Sequence, residues 1–151
     1  MKIRCLEDQD LEIVSALCMD SFLQSVAETL SEEGVLAFTN VATSDAFRRR
    51  MQEDNLILVA EYDGRIEGVI ELKEGRHIAM FFVAPKQQKK GVGRALMTSV
   101  LNNAKVRCVT VRASLPSVPA YRKYGFECSG EVGEYAGLVY QPMEIELNTL
   151  M

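Results

Sequence analysis

The stretch Gln88-Lys89-Lys90-Gly91-Val92-Gly93-Arg94 follows the apolar run Ile78-Ala79-Met80-Phe81-Phe82-Val83 and opens the helical pattern Ala95-Leu96-Met97-Thr98-Ser99-Val100-Leu101. This reads as a strand, a short glycine loop and a helix. Free backbone N–H groups crowd the start of such a helix, and they and the helix dipole both favour an anion there. Charge points the same way. From Gly75 to Phe126 there is no Asp or Glu, while Arg76, Lys86, Lys89, Lys90, Arg94, Lys105, Arg107, Arg112, Arg122 and Lys123 are basic. That window carries +10, so the remainder must carry −14 to leave the chain at −4. A cationic segment in an acidic chain suits a phosphate-bearing small molecule.

With 151 residues, 48% of them hydrophobic and 25% charged, the chain has the length and composition of one folded domain, expected to span 1–151, and not of a disordered one. A pI near 5.1 argues against general nucleic-acid binding, which needs many cationic contacts, and no aromatic stacking motif accompanies the basic window. Cys5, Cys18, Cys108 and Cys128 lack the paired spacing of a zinc site, so no metal is expected. Each cysteine is expected as a small packing residue. The N-terminus does not read as a signal peptide, and the apolar runs are too short to span a bilayer, which makes the cytoplasm the expected location.

Around the decisive stretch the elements fall into order. Lys2 to Leu6 reads as a first strand. A helix capped by Asp8 or Asp10 follows, with Leu11, Val14, Leu17, Cys18 and Phe22 at helical spacing. A second helix occupies part of Glu33 to Met51, its end marked by Arg48-Arg49-Arg50, read as a solvated face. Asn55 to Tyr62, a turn at Asp63-Gly64, Arg65 to Lys73, a turn at Glu74-Gly75 and His77 to Val83 form a three-strand meander, ended by Pro85. After the loop helix come a strand over Val106 to Ala113 and a short helix from Val118 to Tyr124, closed by Gly125. A hairpin of Phe126 to Val132 and Leu138 to Leu147 completes the order. The expectation is an α/β (α+β) fold: a mixed, mostly antiparallel twisted sheet of about seven strands flanked by about four helices.

The loop is not a P-loop, since no lysine follows either glycine, and not a dinucleotide fingerprint, since Leu96 stands where a third glycine is needed. With Gln88, Gly91 and Gly93 it resembles the Gln/Arg-x-x-Gly-x-Gly/Ala acyl-CoA motif of the GNAT N-acetyltransferase superfamily, continued by Arg94-Ala95-Leu96. A second stretch, Tyr121-Arg122-Lys123-Tyr124-Gly125-Phe126, is similar to that family's Tyr-x-x-x-Gly-Phe ending. The two motifs come in the family's order and flank the Val106 strand. One position departs: Ser114 stands seven residues before the tyrosine, where the family often has an asparagine that helps hold coenzyme A.

The resemblance implies a GNAT-like sheet with a central V-shaped splay and an acetyl-CoA donor, with transfer to a primary amine by direct attack. The loop amides from Lys89 and Lys90 through Gly91, Val92, Gly93 and Arg94 would take the donor's diphosphate. Backbone groups of Phe81, Phe82 and Val83 would pair with its pantetheine arm, one amide of that strand polarising the thioester carbonyl. Tyr121 occupies the position of the acid that protonates the departing thiolate. Tyr124 reads as core. For the general base two residues stay open: His77, the only histidine, and Glu71, acting directly or through water.

The acceptor is expected among the first helices and the last hairpin, where Glu28, Glu32, Glu33, Glu131 and Glu134 would favour a cationic amine. A homodimer is a family expectation. The alternative function is a non-catalytic acyl-CoA-binding module of the same fold.

Overall fold

The computed structural model describes residues 1–25, 31–88 and 90–147. Lys89 and Glu28, both named above, lie outside these. In chain order the elements are β1 (Lys2–Cys5), α1 (Leu11–Ser25), α2 (Glu32–Ala42), α3 (Ser44–Met51), β2 (Asn55–Tyr62), β3 (Arg65–Lys73) and β4 (His77–Val83). They continue with α4 (Val92–Leu101), β5 (Cys108–Ser114), α5 (Val118–Lys123), β6 (Glu127–Cys128), β7 (Gly133–Tyr135) and β8 (Leu138–Glu146). The sheet runs β1-β2-β3-β4-β5-β8-β6, and β7 also pairs with β8. Every pairing is antiparallel except that of β4 with β5. This is the expected mixed, mostly antiparallel sheet.

Strand alternation separates two cores. Leu58, Ala60, Ile70 and Leu72 face one side and pack with Val92, Leu96, Met97 and Val100 of α4 and with Tyr121 and Phe126. Ile57, Val59 and Val69 face the other side, under Leu11, Val14, Cys18 and Phe22 of α1, Phe38 of α2 and Phe47 of α3. Asp63 and Gly64 both take positive φ, 51° and 77°, the two-residue turn that matches strand twist.

Five expectations need correction. The second helix is two, because Thr43 ends α2 in an extended conformation and its hydroxyl accepts from the Ala46 N–H at 3.1 Å to start α3. Asp10 does not cap α1 forwards; its buried carboxylate reaches back to the Glu7 N–H at 2.8 Å and to Arg4 at 2.7 Å. The fifth strand starts at Cys108 rather than Val106. The strand expected over Phe126 to Val132 is only Glu127–Cys128, with Gly133–Tyr135 forming the hairpin arm. Pro142 explains the break. Its carbonyl accepts from the Ser129 N–H at 3.0 Å, so its missing donor falls on that same side, between β6 and β7. The Gln141 amide bridges the gap by donating to the Gly130 carbonyl at 2.8 Å. Only Cys18 packs as expected of the cysteines; Cys5, Cys108 and Cys128 are exposed.

Candidate functional site

Two features of β4 open the sheet. First, β4 and β5 pair at only two positions, His77↔Thr110 and Ile78↔Val111. Second, the register against β3 slips between Glu71↔Met80 and Leu72↔Ile78, leaving Ala79 as an extra, bulged residue. A bulge bends its strand and reverses facing beyond it. Ile78 therefore packs with α4, while Met80 and Phe82 turn to the α1–α3 side. Past this joint the strands part. Ala79 is exposed in the middle of a sheet, and residues 79–83 form no ladder with residues 112–114.

Aromatic side chains line the parting on the α4 side. The Phe81 ring meets Tyr121 edge-on at 6.0 Å between centroids and Tyr124 at 5.9 Å. Tyr121 is 7% exposed, packs edge-on against Phe126 at 5.4 Å, and burial raises its phenol well above its ordinary value. Its hydroxyl makes no hydrogen bond among the described residues. Tyr124, expected as core, is half-buried, and burial also raises its phenol against the opposing pull of Arg94. Its hydroxyl lies 2.6 Å from where a Cβ on Gly93 would stand, and the Arg94 guanidinium sits 5.7 Å over its ring.

The glycine loop ends at Gly91, which takes φ 87° and precedes α4 with no side-chain cap. The Ala95 N–H donates to the Gly91 carbonyl at 3.0 Å; the N–H groups of Val92, Gly93 and Arg94 find no acceptor among the described residues. Three amides with no described acceptor at a helix start can receive an anion, and a Cβ on Gly91 would meet open space. The two glycines thus serve different ends: Gly91 for its backbone angle, Gly93 to admit Tyr124. Gln88 donates from its side chain to the Val83 carbonyl at 3.3 Å and ties the loop to the end of β4. Lys90 and Arg94 are both exposed. Not all the basic window gathers here: Arg76 pairs with Glu74 and Lys105 with Asp54, beyond the joint.

Ser114 ends β5 at the rim of the parting. Its hydroxyl donates to Ser117 Oγ at 2.8 Å, and Ser117 Oγ lies 2.8 Å from the Ser114 carbonyl, so this side chain serves a local turn. His77 sits at the joined end, six residues before Val83, its Nδ1 2.7 Å from Thr110 Oγ1. Burial, with Arg112, Arg76 and Lys73 behind it, lowers its pKa to about 4. Glu71 is fully buried, both oxygens taking the Arg50 Nε–H at 2.9 and 3.1 Å. Burial pushes its carboxyl up while Arg50 opposes. Neither opens onto the parting as a free group.

Sequence reasoning missed two participants and one device. Arg50 was expected in a solvated face, yet it turns inward, 4.6 Å over the Phe47 ring, to meet Glu71. The signal was its i+3 spacing from Phe47. Tyr124 carried no signal, and the bulge at Ala79 none in an unbroken apolar run. A separate open hollow, lined by Arg4, Asp10, Ile13, Glu61, Arg65 and Glu67, lies across the β1–β3 edge and holds none of these residues.

Comparison with known proteins bears on this geometry. The Acetyltransferase (GNAT) domain profile matches residues 26–147. Peptidyl-lysine N-acetyltransferase YiaC of Escherichia coli (strain K12) is 36% identical over 69 residues, 45% of this chain and 47% of that protein. The chain therefore matches about half the length of this curated relative. A GCN5-related N-acetyltransferase structure from Rhodopseudomonas palustris superposes with a TM-score of 0.85 at 25% identity, over 97% of this chain and 95% of that one. The PaiA N-acetyltransferase of Thermoplasma acidophilum, solved with coenzyme A, gives 0.81 at 22% identity over 96% and 98%, a likeness of fold. No described helix is long and apolar enough to cross a membrane. With a profile covering most of its length and a sheet parted beside a glycine loop, this chain belongs to the GNAT acetyltransferase family.

Proposed function

We propose that this protein transfers an acetyl group from acetyl-CoA to a primary amine of a small molecule or peptide. The observation that carries the reading is the seat of three orphan amides, Val92 to Arg94, opening on a parting lined by Tyr121. The donor's diphosphate binds those amides, with Lys89, Lys90 and Arg94 adding positive potential. The backbone edge of Phe81, Phe82 and Val83 that faces away from β3, without a β5 partner, takes the pantetheine amides as an added strand. Gln88 holds the loop in place, and Ser114 shapes the opposite rim without reaching the donor.

The thioester then lies near the bulge, where a backbone N–H polarises its carbonyl. The neutral amine attacks, a C–N bond forms, the tetrahedral centre collapses and the C–S bond breaks. Negative charge moves to sulfur, where Tyr121 meets it. A phenol above its ordinary pKa of about 10 is a weaker acid than a thiol of about 8.5. Tyr121 therefore holds the developing thiolate by hydrogen bond, and the proton shed by the amine completes the balance. Glu71 and His77, both engaged elsewhere, stay outside the set we assign to proton removal, which leaves water in the open parting to take the proton.

Titration calorimetry with coenzyme A, run beside thiol release from acetyl-CoA with a panel of amines, tests this. Binding with transfer is expected; the absence of binding by folded protein would sink the reading. Tyr121→Phe should keep donor affinity and lose about a hundredfold in kcat, the scale of removing one hydrogen-bond donor from developing charge. Full turnover in that variant would remove Tyr121 from the mechanism, and binding with no transfer to any amine would mark a non-catalytic acyl-CoA module.

A further inference from the structure

The face of the parting turned away from α4 carries a cation without a counter-charge. Arg112 is the first β5 residue past the last parallel pair, on the same face as Thr110, which meets His77. It is exposed, and its guanidinium rests 4.9 Å over the Tyr140 ring. Tyr140 stands on β8 opposite Ser114 of β5 on one side and Gly133 of β7 on the other. Its ring lies across Gly133, where a Cβ would come within 2.9 Å of both the ring and its hydroxyl. The shelf beneath Arg112 is thus held from both neighbouring strands.

Arg4, Arg48, Arg50, Arg76 and Lys105 each have a carboxylate within 4.0 Å; among the described residues Arg112 has none. The acids nearest on its face, Glu144 and Glu146, stand opposite Thr110 and Cys108, and Glu144 already accepts from Cys108 Sγ at 3.3 Å. Across the parting stands exposed Ala79, whose methyl leaves the approach open. A guanidinium lying over a ring keeps its N–H edge free for a planar, two-oxygen partner.

We propose that Arg112, carried on Tyr140, binds a carboxylate of the acceptor, which is therefore an amino-acid-like molecule bearing its amine a few atoms away. This rests on the N-acetyltransferase reading above and narrows its substrate class. The acidic residues Glu32 and Glu33, on the first turn of α2, draw the ammonium end while Arg112 takes the other. A zwitterion meets both, and a polyamine meets only the acids.

The test uses the full chain and three acceptor series of equal length, two to six carbons: ω-amino acids, alkylamines and diamines. Thiol release gives kcat/KM for each in the wild type, Arg112→Gln and Arg112→Lys. In the wild type the best ω-amino acid should exceed its matched alkylamine by at least about tenfold, the scale of a charge-assisted hydrogen-bonded pair. In Arg112→Gln that ratio should fall towards one, with partial return in Arg112→Lys. A diamine preferred over the ω-amino acid, or a ratio untouched by Arg112→Gln, overturns the proposal. A uniform loss across all acceptors does so as well, since a structural role alone moves them together. Calorimetry of the N-acetyl-ω-amino acids against the enzyme–CoA complex decides the point even if no amine is turned over. Binding to the wild type no tighter than to Arg112→Gln overturns the Arg112 assignment, whereas failed transfer alone counts against the activity.

Discussion

At the scale of single residues, Gly93 and Tyr124 form one unit. The phenol occupies the space of a missing Cβ, 2.6 Å away, so neither residue can change freely without the other. Gly93→Ala is expected to push the Tyr124 ring off Phe81, disturb the first turn of α4 and raise KM for acetyl-CoA. Adding Tyr124→Phe removes the clashing oxygen and should restore much of what was lost. The expected coupling is about 1 kcal/mol or more, read from urea unfolding of the two single variants and the double. Additive effects would mean that Gly93 answers to the ligand alone. Gly91 is a different case, with open space around it and a left-handed backbone. There an alanine costs about 1 kcal/mol through φ and not through contact.

At the scale of elements, β3 and β4 decide whether there is a site at all. The bulge at Ala79 turns Phe81 towards α4, and the joint of two residue pairs holds β4 to β5 below it. Behind that strand pair, Glu71 on β3 and Arg50 on α3 clamp the helix layer to the sheet, with Asn55 donating to the Arg50 carbonyl at 3.1 Å. The Arg50 Nη2 and the Asn55 Oδ1 are buried without partners among the described residues, so the clamp has little spare hydrogen bonding. Glu71→Gln leaves a guanidinium charge largely buried and uncompensated, and should lower unfolding free energy by roughly 3 kcal/mol. If the residue is a strut, kcat of the protein that remains folded should stay within about threefold. A large fall in kcat at unchanged stability would return Glu71 to the role of base.

At the scale of the whole molecule, His77 ties stability to acid. Its folded pKa of about 4 lies below the ordinary 6.5, so between those values the unfolded chain binds more protons. Stability therefore falls as pH drops from about 6.5 through about 4. Asp10, held below its ordinary value by Arg4, is lost in the same direction at still lower pH. Thermal midpoints across this range should fall less steeply in His77→Gln than in the wild type. A parallel decline would show that the ring is already charged in the folded protein. The same low pKa predicts no His77 limb in the rate profile between pH 5 and 8.

Much of this was legible along the chain because it is local. Strand periodicity, the Asp63-Gly64 turn, the glycine loop opening α4 and the Tyr121 to Phe126 stretch depend on neighbours within a few residues. Those spacings determined the element order, the mixed sheet and the family. What no spacing carries is pairing between distant segments. That β4 and β5 join for only two pairs, that Arg50 reaches Glu71 and that Tyr124 rests on Gly93 are contacts between residues 21 or more positions apart, and the one-residue slip of β4 against β3, though between neighbouring strands, is a matter of register that no spacing records. Alternation along β4 is the same on paper with or without the bulge, yet the bulge reverses which face each later side chain takes. The local code named a glycine loop; only the packing of the eight strands and five helices among the described residues decided where the sheet opens and which residues look into the opening.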